Sequence, residues 1–262
     1  MSFIDIHSHL ADPRFDSEPD VRLEQVIAEA KQSGISTFVQ GGVGPEDWAR
    51  QESLAKIHSE IIPVFGLHPY WVSAHTADEC EQALDVLAQK LKTAVAVGEM
   101  GLDLRSPYKN CEGLQLEIFE RQLELAKFAN KPVVLHLVRA HEEALRVLNL
   151  FGLPDAGGFV HSFNGSLKKA NDFMSLNLSI SVGGALCRGN NKVLQQAVAQ
   201  IPLEYLLLES DSPDQPPENW PMPLNHPKSI LLVAEKMAQL KGIKSREVLD
   251  RTSQNARKLL AL

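Results

Sequence analysis

The heptapeptide Phe3-Ile-Asp-Ile-His-Ser-His9 places an apolar run directly before two histidines one residue apart. A short run of aliphatic and β-branched residues with little alternation reads as a strand buried on both faces. The same kind of run recurs at residues 36–41 (STFVQG), 61–67 (IIPVFGL), 94–99 (AVAVGE), 132–136 (PVVLH), 158–161 (GFVH), 178–182 (LSISV) and 205–209 (YLLLE). Helix-period stretches lie between them. Leu114, Ile118, Leu125 and Phe128 fall near one face of a predicted helix whose other side carries Glu117, Arg121 and Glu124. Residues 227–240 and 245–260 form a last helical pair; Pro227 suits a first turn and Gly242 breaks the two apart. Eight strand–helix units predict a distorted (β/α)8 barrel of TIM type, a fold of typically ~250 residues. A doubly wound open sheet of the same units is the rival.

Composition narrows the class. With 262 residues, 44% hydrophobic and 23% charged, the chain is neither disordered nor fibrous. No apolar run reaches the ~18 to 20 residues of a membrane span. The opening MSFIDIHSHLADPRFD has no basic region and no long apolar stretch, so no secretory signal is expected. Cys80, Cys111 and Cys187 are odd in number and far apart, which fits a cytoplasmic protein without a disulfide framework. A net charge of -7 argues against coating nucleic acid by charge, though not against acting on it at one local site. No composition shift, repeat or low-complexity tract appears, so residues 1–262 are expected to form a single barrel domain. Residues 211–227 (DSPDQPPENWPMPLNHP) are Pro-rich and too long for a tight turn.

The chemistry collects at the strand ends. Period two puts His7 and His9 on one side of the first strand, together with Asp5. Glu99 ends VAVGE, His136 ends PVVLH, His161 ends GFVH, Asp211 follows LLLES and His68 follows VFGL. Barrel enzymes build their sites at these C-terminal ends. So many ionisable groups at the tips of apolar strands need a common partner, and a divalent ion supplies one. Six candidate ligands are too many for one tetrahedral ion. They suit two ions: His7, His9, Glu99 and Asp211 on one, with Glu99, His136 and His161 on the other. Glu99 then bridges, and Asp211 also positions or deprotonates the attacking water. A single-metal centre is the simpler alternative. This donor set suits zinc, manganese, nickel or iron, and carboxylate plus water admits magnesium.

The stretches DIHSHL, GLHP, VGEMGLD, QLEIFERQLELAK, PVVLH, GFVHSF, LLLESDSPD and TSQNARKLL follow one another from Asp5 to Leu260. In this order they resemble the successive motifs of the TatD-type metal-dependent hydrolases, part of the amidohydrolase-like barrel superfamily. The resemblance implies a distorted (β/α)8 barrel, a divalent-metal centre and phosphodiester hydrolysis on DNA, typically as a 3′→5′ exonuclease. It puts the ligands on His7, His9, Glu99, His136, His161 and Asp211, and sets His68 near the substrate phosphate. Three places depart from the family pattern. Val138 stands where an arginine is common, with Arg139 one step further on as a substitute phosphate contact. Ser162-Phe163-Asn164-Gly165 replaces C-F-S-G, and Ser210-Asp211-Ser212-Pro213 replaces T-D-A-P. The ligands are intact and the substrate side is altered.

The expected activity is therefore a deoxyribonuclease-type, metal-dependent hydrolase acting on nucleic-acid ends. A small-molecule hydrolase of an ester, lactone, amide or phosphoester is the alternative on the same barrel. A barrel that keeps metal only as a structural element is a third reading. No membrane and no obligate protein partner is expected. Tyr70, Trp71 and Trp220 could stack on a base or pack on the rim. Glu209 could support a ligating histidine or point elsewhere. Gly41-Gly42-x-Gly44 reads as a strand-to-helix turn, because the Walker lysine is missing. His141-Glu142-Glu143 is not a zinc-protease motif, because position 145 is Leu145.

Overall fold

The computed structural model describes residues 2–19 and 21–262. Strands and helices alternate. The first part runs β1 (Phe3–Ser8), α1 (Arg14–Ser17), α2 (Leu23–Gln32), β2 (Ile35–Gln40), α3 (Pro45–Ile57), β3 (Ile61–Ile62), α4 (Pro69–Ser73) and α5 (Ala77–Lys90). Then come β4 (Val97–Asp103), α6 (Glu112–Ala129), β5 (Val133–Val138), α7 (His141–Phe151), β6 (Gly158–Val160) and α8 (Leu167–Met174). The chain finishes with β7 (Leu178–Val182), α9 (Lys192–Gln200), β8 (Leu206–Leu208), α10 (Ile230–Lys241) and α11 (Ser245–Leu260).

All neighbouring strands are parallel, in the sequential orders β1-β2-β3 and β4-β5-β6-β7-β8. A bridge from Phe65 to Val97 joins the two groups. A doubly wound sheet reverses its order at the centre; this order never reverses. The seam between β8 and β1 closes through main chain and side chain. Asp211 N–H donates to the His7 carbonyl (3.0 Å) and His9 N–H to the Ser212 carbonyl (2.6 Å). Below them the buried Asp5 carboxylate accepts from the Ser210 amide (2.8 Å) and hydroxyl (2.5 Å). The architecture is a distorted (β/α)8 barrel.

The apolar interior divides into two clusters. Ile4, Ile6, Val39, Val64, Ala96, Val134, Phe159 and Leu207 pack together with Ala256 and Leu260 of α11. These fill the lumen, and α11 stoppers it at the start of β1, where Ile4 N–H donates to Ser253 Oγ (3.1 Å). The alternate strand residues, such as Val133, Leu135, Val160 and Leu206, pack in the larger outer cluster with the helices. Period two then sets the site. Two residues past the lumen positions Val134, Phe159 and Leu207 stand His136, His161 and Glu209. In β1 and β4, register shifts between Asp5 and Ser8 and between Val97 and Met100 change the phase, which is how His7, His9 and Glu99 join the same end.

The structure departs from the sequence reading in three places. β3 is two residues long rather than running to Leu67, because Leu67 finds its backbone partners elsewhere: its N–H and carbonyl both bond the Gln122 side chain. β4 starts at Val97 and continues to Asp103, whose N–H and carbonyl are bracketed in the same way by Gln115. These two glutamines turn the buried face of α6 to Gln115, Ile118, Phe119, Gln122, Leu123 and Ala126. Phe128, expected on that face, is 94% exposed. No helix among the described residues is long and apolar enough to cross a membrane.

Candidate metal centre

Glu99 is the hub of the C-terminal end. Its Oε1 lies 3.5 Å from His7 Nε2 and 3.3 Å from His9 Nε2. Its Oε2 lies 2.8 Å from His161 Nε2, 3.2 Å from His136 Nδ1 and 3.8 Å from His68 Nε2. Asp211 Oδ1 stands 3.8 Å from His7 Nε2 and 3.6 Å from His9 Nε2. All six sequence-predicted ligands and His68 therefore meet. Imidazole nitrogens also face each other, at 3.3 Å between His7 and His9 and 2.9 Å between His136 and His161. Glu99 Oε1, His7 Nδ1 and His161 Nδ1 are buried without a hydrogen-bond partner among the described residues. An unpaired buried acceptor of this kind costs roughly 1–3 kcal/mol, more when charged. Converging imidazoles around an unpaired buried carboxylate oxygen fit a divalent cation, and the donor chemistry suits zinc-like metals.

Protonation follows from burial and neighbours. Burial pushes His7 down to about 4, leaving a neutral imidazole with a lone pair to offer. Burial works against charge on Glu99 too, but the imidazoles of His161 and His7 hold its carboxyl well below the usual range. His68 is different. Its Nδ1 accepts from the Tyr70 amide (3.0 Å), so the ring proton sits on Nε2, the nitrogen turned to the centre. A protonated nitrogen cannot ligate a metal, but it can donate to a substrate oxygen.

Neighbouring groups hold the donors in place. Asp103 Oδ2 stands 3.4 Å from His136 Nε2, aiming Nδ1 at the centre, and Arg105 grips the same carboxylate. Glu209 accepts from the Ser162 amide and the Ser181 hydroxyl (2.5 Å each), with Oε1 3.8 Å from His161 Nδ1. It sits beneath a histidine rather than pointing away. Gly41 is required by close approach: a Cβ there would come within 2.5 Å of Cε1 of both His7 and His9. Asp5, Asp103 and Arg105 were not assigned roles from sequence. Asp103 does close the VGEMGLD stretch, but a strand ending at Glu99 leaves it outside.

An open cavity of about 660 Å³ lies over the centre, walled in part by Tyr70, Tyr108, Arg14 and Asp214. Tyr70 faces it, whereas Trp71 is buried and stacks on His75 (3.8 Å between ring centroids). Trp220 turns back into its own loop, donating to the Leu224 carbonyl (2.8 Å). The 211–227 loop is tied down: the Asn225 amide donates to the carbonyls of Ser210 and Asp214, and Arg14 clasps Asp214. Arg139 lies outside the cluster, exposed, in the left-handed region (φ 57°), on the wall of a second cavity of about 310 Å³. Arg188, on that wall as well, had no signal in the sequence.

Comparison with known proteins points to one family. The family described as TatD related DNase matches residues 4–261. The uncharacterized metal-dependent hydrolase YjjV of Escherichia coli is 33% identical over 91% of this chain and 90% of its own length. YabD of Bacillus subtilis, also named an uncharacterized metal-dependent hydrolase, is 31% identical over 98% of both chains. The crystal structure of Escherichia coli YjjV superposes with a TM-score of 0.88 at 30% identity, covering 99% of this chain and 98% of that one. From its barrel, its donor cluster and these relatives, the chain belongs to the TatD family of metal-dependent hydrolases.

Proposed function

We propose that this protein is a two-metal phosphodiesterase that removes nucleotides from the 3′ end of single-stranded DNA, working in the cytoplasm. The observation that carries the reading is the division of Glu99, with Oε1 toward His7 and His9, which Asp211 also approaches, and Oε2 toward His136 and His161. Two such donor sets sharing one carboxylate suit a pair of divalent ions, zinc, manganese, magnesium or nickel. When bound, such ions supply Lewis-acid neutralisation of a phosphate oxygen and make water acidic near pH 7. The chain's own residues do the rest. Asp211, whose carboxyl is kept ionised by His9 against the effect of burial, takes the proton of the attacking water. His68 donates Nε2–H to an oxygen of the scissile phosphate, and Arg139, on the wall of the neighbouring cavity, offers a charged donor to the strand beyond it. A relative named 3′-5′ ssDNA/RNA exonuclease TatD, from Pantoea ananatis, is 31% identical over 98% of this chain and supports the substrate class.

A second reading is a small-molecule hydrolase. It is favoured by the large cavity, where Arg14 is taken up by Asp12 and Asp214, and Arg50 by Asp16. One panel separates the two: 3′- and 5′-labelled single-stranded DNA, RNA, a phosphodiester dye ester and several lactones, each with several divalent ions. The nuclease reading expects loss of label from the 3′ end and its disappearance in Asp211→Asn. Uncut DNA under every ion, with a lactone turned over, would replace it.

A further inference from the structure

Two cavities meet over the metal centre and differ in charge. They share Arg105, His136, His161, Asp211 and Gln215. The larger adds Asp12, Glu46, Asp47 and Asp214 to Arg14 and Arg50, and both of those arginines are already paired. The smaller adds Arg139 and Arg188, with Asp211 as the lone carboxylate among its lining residues. Arg139 has no ion pair or hydrogen bond among the described residues. The Arg188 guanidinium donates one bond to Gln215 Oε1 (3.1 Å) and its remaining N–H groups have no partner among the described residues.

We infer that the smaller cavity is a subsite for a second phosphate, the one that follows the scissile phosphate into the body of the strand, held by Arg139 and Arg188. The inference deepens the phosphodiesterase reading and rests on it. Unpaired guanidinium groups beside a metal centre match a phosphate in both charge and fork geometry. A diester positioned at Glu99 spans both cavities, so its two sides meet opposite surroundings. The side that carries further phosphates goes to the arginines. The terminal nucleoside, ending in a neutral 3′-hydroxyl, goes to the acid-rich side, where Tyr70 and Tyr108 present rings 6.5 Å apart that a base can stack on. A 3′-phosphate on that side would face Asp12, Glu46 and Asp214, and like charges disfavour it.

The test compares wild type with the Arg139→Gln/Arg188→Gln double variant, metal-loaded, on a dithymidine with one phosphodiester and a trithymidine with two. In wild type, kcat/KM is expected to be on the order of tenfold higher for the trinucleotide, the scale of one charge-assisted hydrogen bond. In the double variant that ratio falls toward one, and the Arg→Lys pair restores part of it. A wild-type ratio near one, or an unchanged ratio in the variant, overturns the subsite. Wild type should also cut a 3′-hydroxyl trinucleotide faster than its 3′-phosphorylated form; equal rates overturn the assignment of sides. Fluorescence anisotropy of a 5′-labelled trinucleotide on metal-free protein reads the contact without turnover. Arginine-dependent binding without any cleavage keeps the subsite and removes the phosphodiesterase reading. Cleavage with arginine-independent binding does the reverse.

Discussion

Asp5 and Ser210 are joined across the seam of the barrel by two hydrogen bonds to one buried carboxylate, from the Ser210 amide and hydroxyl. His7, two residues beyond Asp5, and Asp211, next to Ser210, carry candidate metal donors, so the seam sets the distance between them. Asp5→Ala leaves both Ser210 donors buried and unpaired. The expected loss is about 2–4 kcal/mol of unfolding free energy, read from urea midpoints, with weaker metal affinity alongside. A loss below about 0.5 kcal/mol, the range of ordinary surface changes, would show that the seam closes without this pair.

Gly41→Ala tests the packing behind the donors. The new methyl group would overlap the rings of His7 and His9. Moving both imidazoles is expected to weaken metal binding on the order of 10–100-fold, the range seen when supports of metal ligands are altered. Calorimetric metal titration reads this, and circular dichroism checks that the barrel persists. Wild-type affinity in the variant would mean that the two rings can yield without cost.

Metal removal separates a catalytic centre from a structural one. Chelation is expected to abolish turnover while far-UV circular dichroism stays nearly unchanged, because the lumen cluster and α11 hold the barrel without any ion. Saturating metal at a hundredfold above Kd should add about 2.7 kcal/mol to native stability and raise Tm by a few degrees. Unfolding on chelation would assign the ions to structure.

His141 gives a pH signature away from the metal donors. Burial, and then the nearby charge of Lys169, push it down to about 4, against about 6.5 in an unfolded chain. Between those values the unfolded state binds more protons than the native one, so stability falls as pH drops through the window. His141→Gln is expected to lose less stability than wild type between pH 7 and pH 5, by roughly 1–2 kcal/mol after allowance for its partial exposure. Parallel pH profiles for the two proteins would contradict this.

The candidate donors were legible because each ends or closely follows an apolar strand run. His136 and His161 stand two residues beyond the lumen positions Val134 and Phe159, and that spacing is local information. The face of α6 was not legible. Gln115 and Gln122 look like surface residues until the interrupted strand edges at Asp103 and Leu67 demand their amides, and Phe128 turns outward as a result. Asp103 was missed for a related reason: β4 runs past Glu99 and brings it beneath His136.

Residue order alone therefore established the alternation of strands and helices and the kind of donors gathered at the strand ends, because those are local features. The unreversed strand order and the register shifts that turn His7, His9 and Glu99 to one end were decided by tertiary structure. Which oxygen of Glu99 meets which histidines was decided by tertiary structure, and so was the charge difference between the two cavities. Those contacts join residues far apart in the chain, and their geometry exists only once β8 has met β1 and the ring has closed.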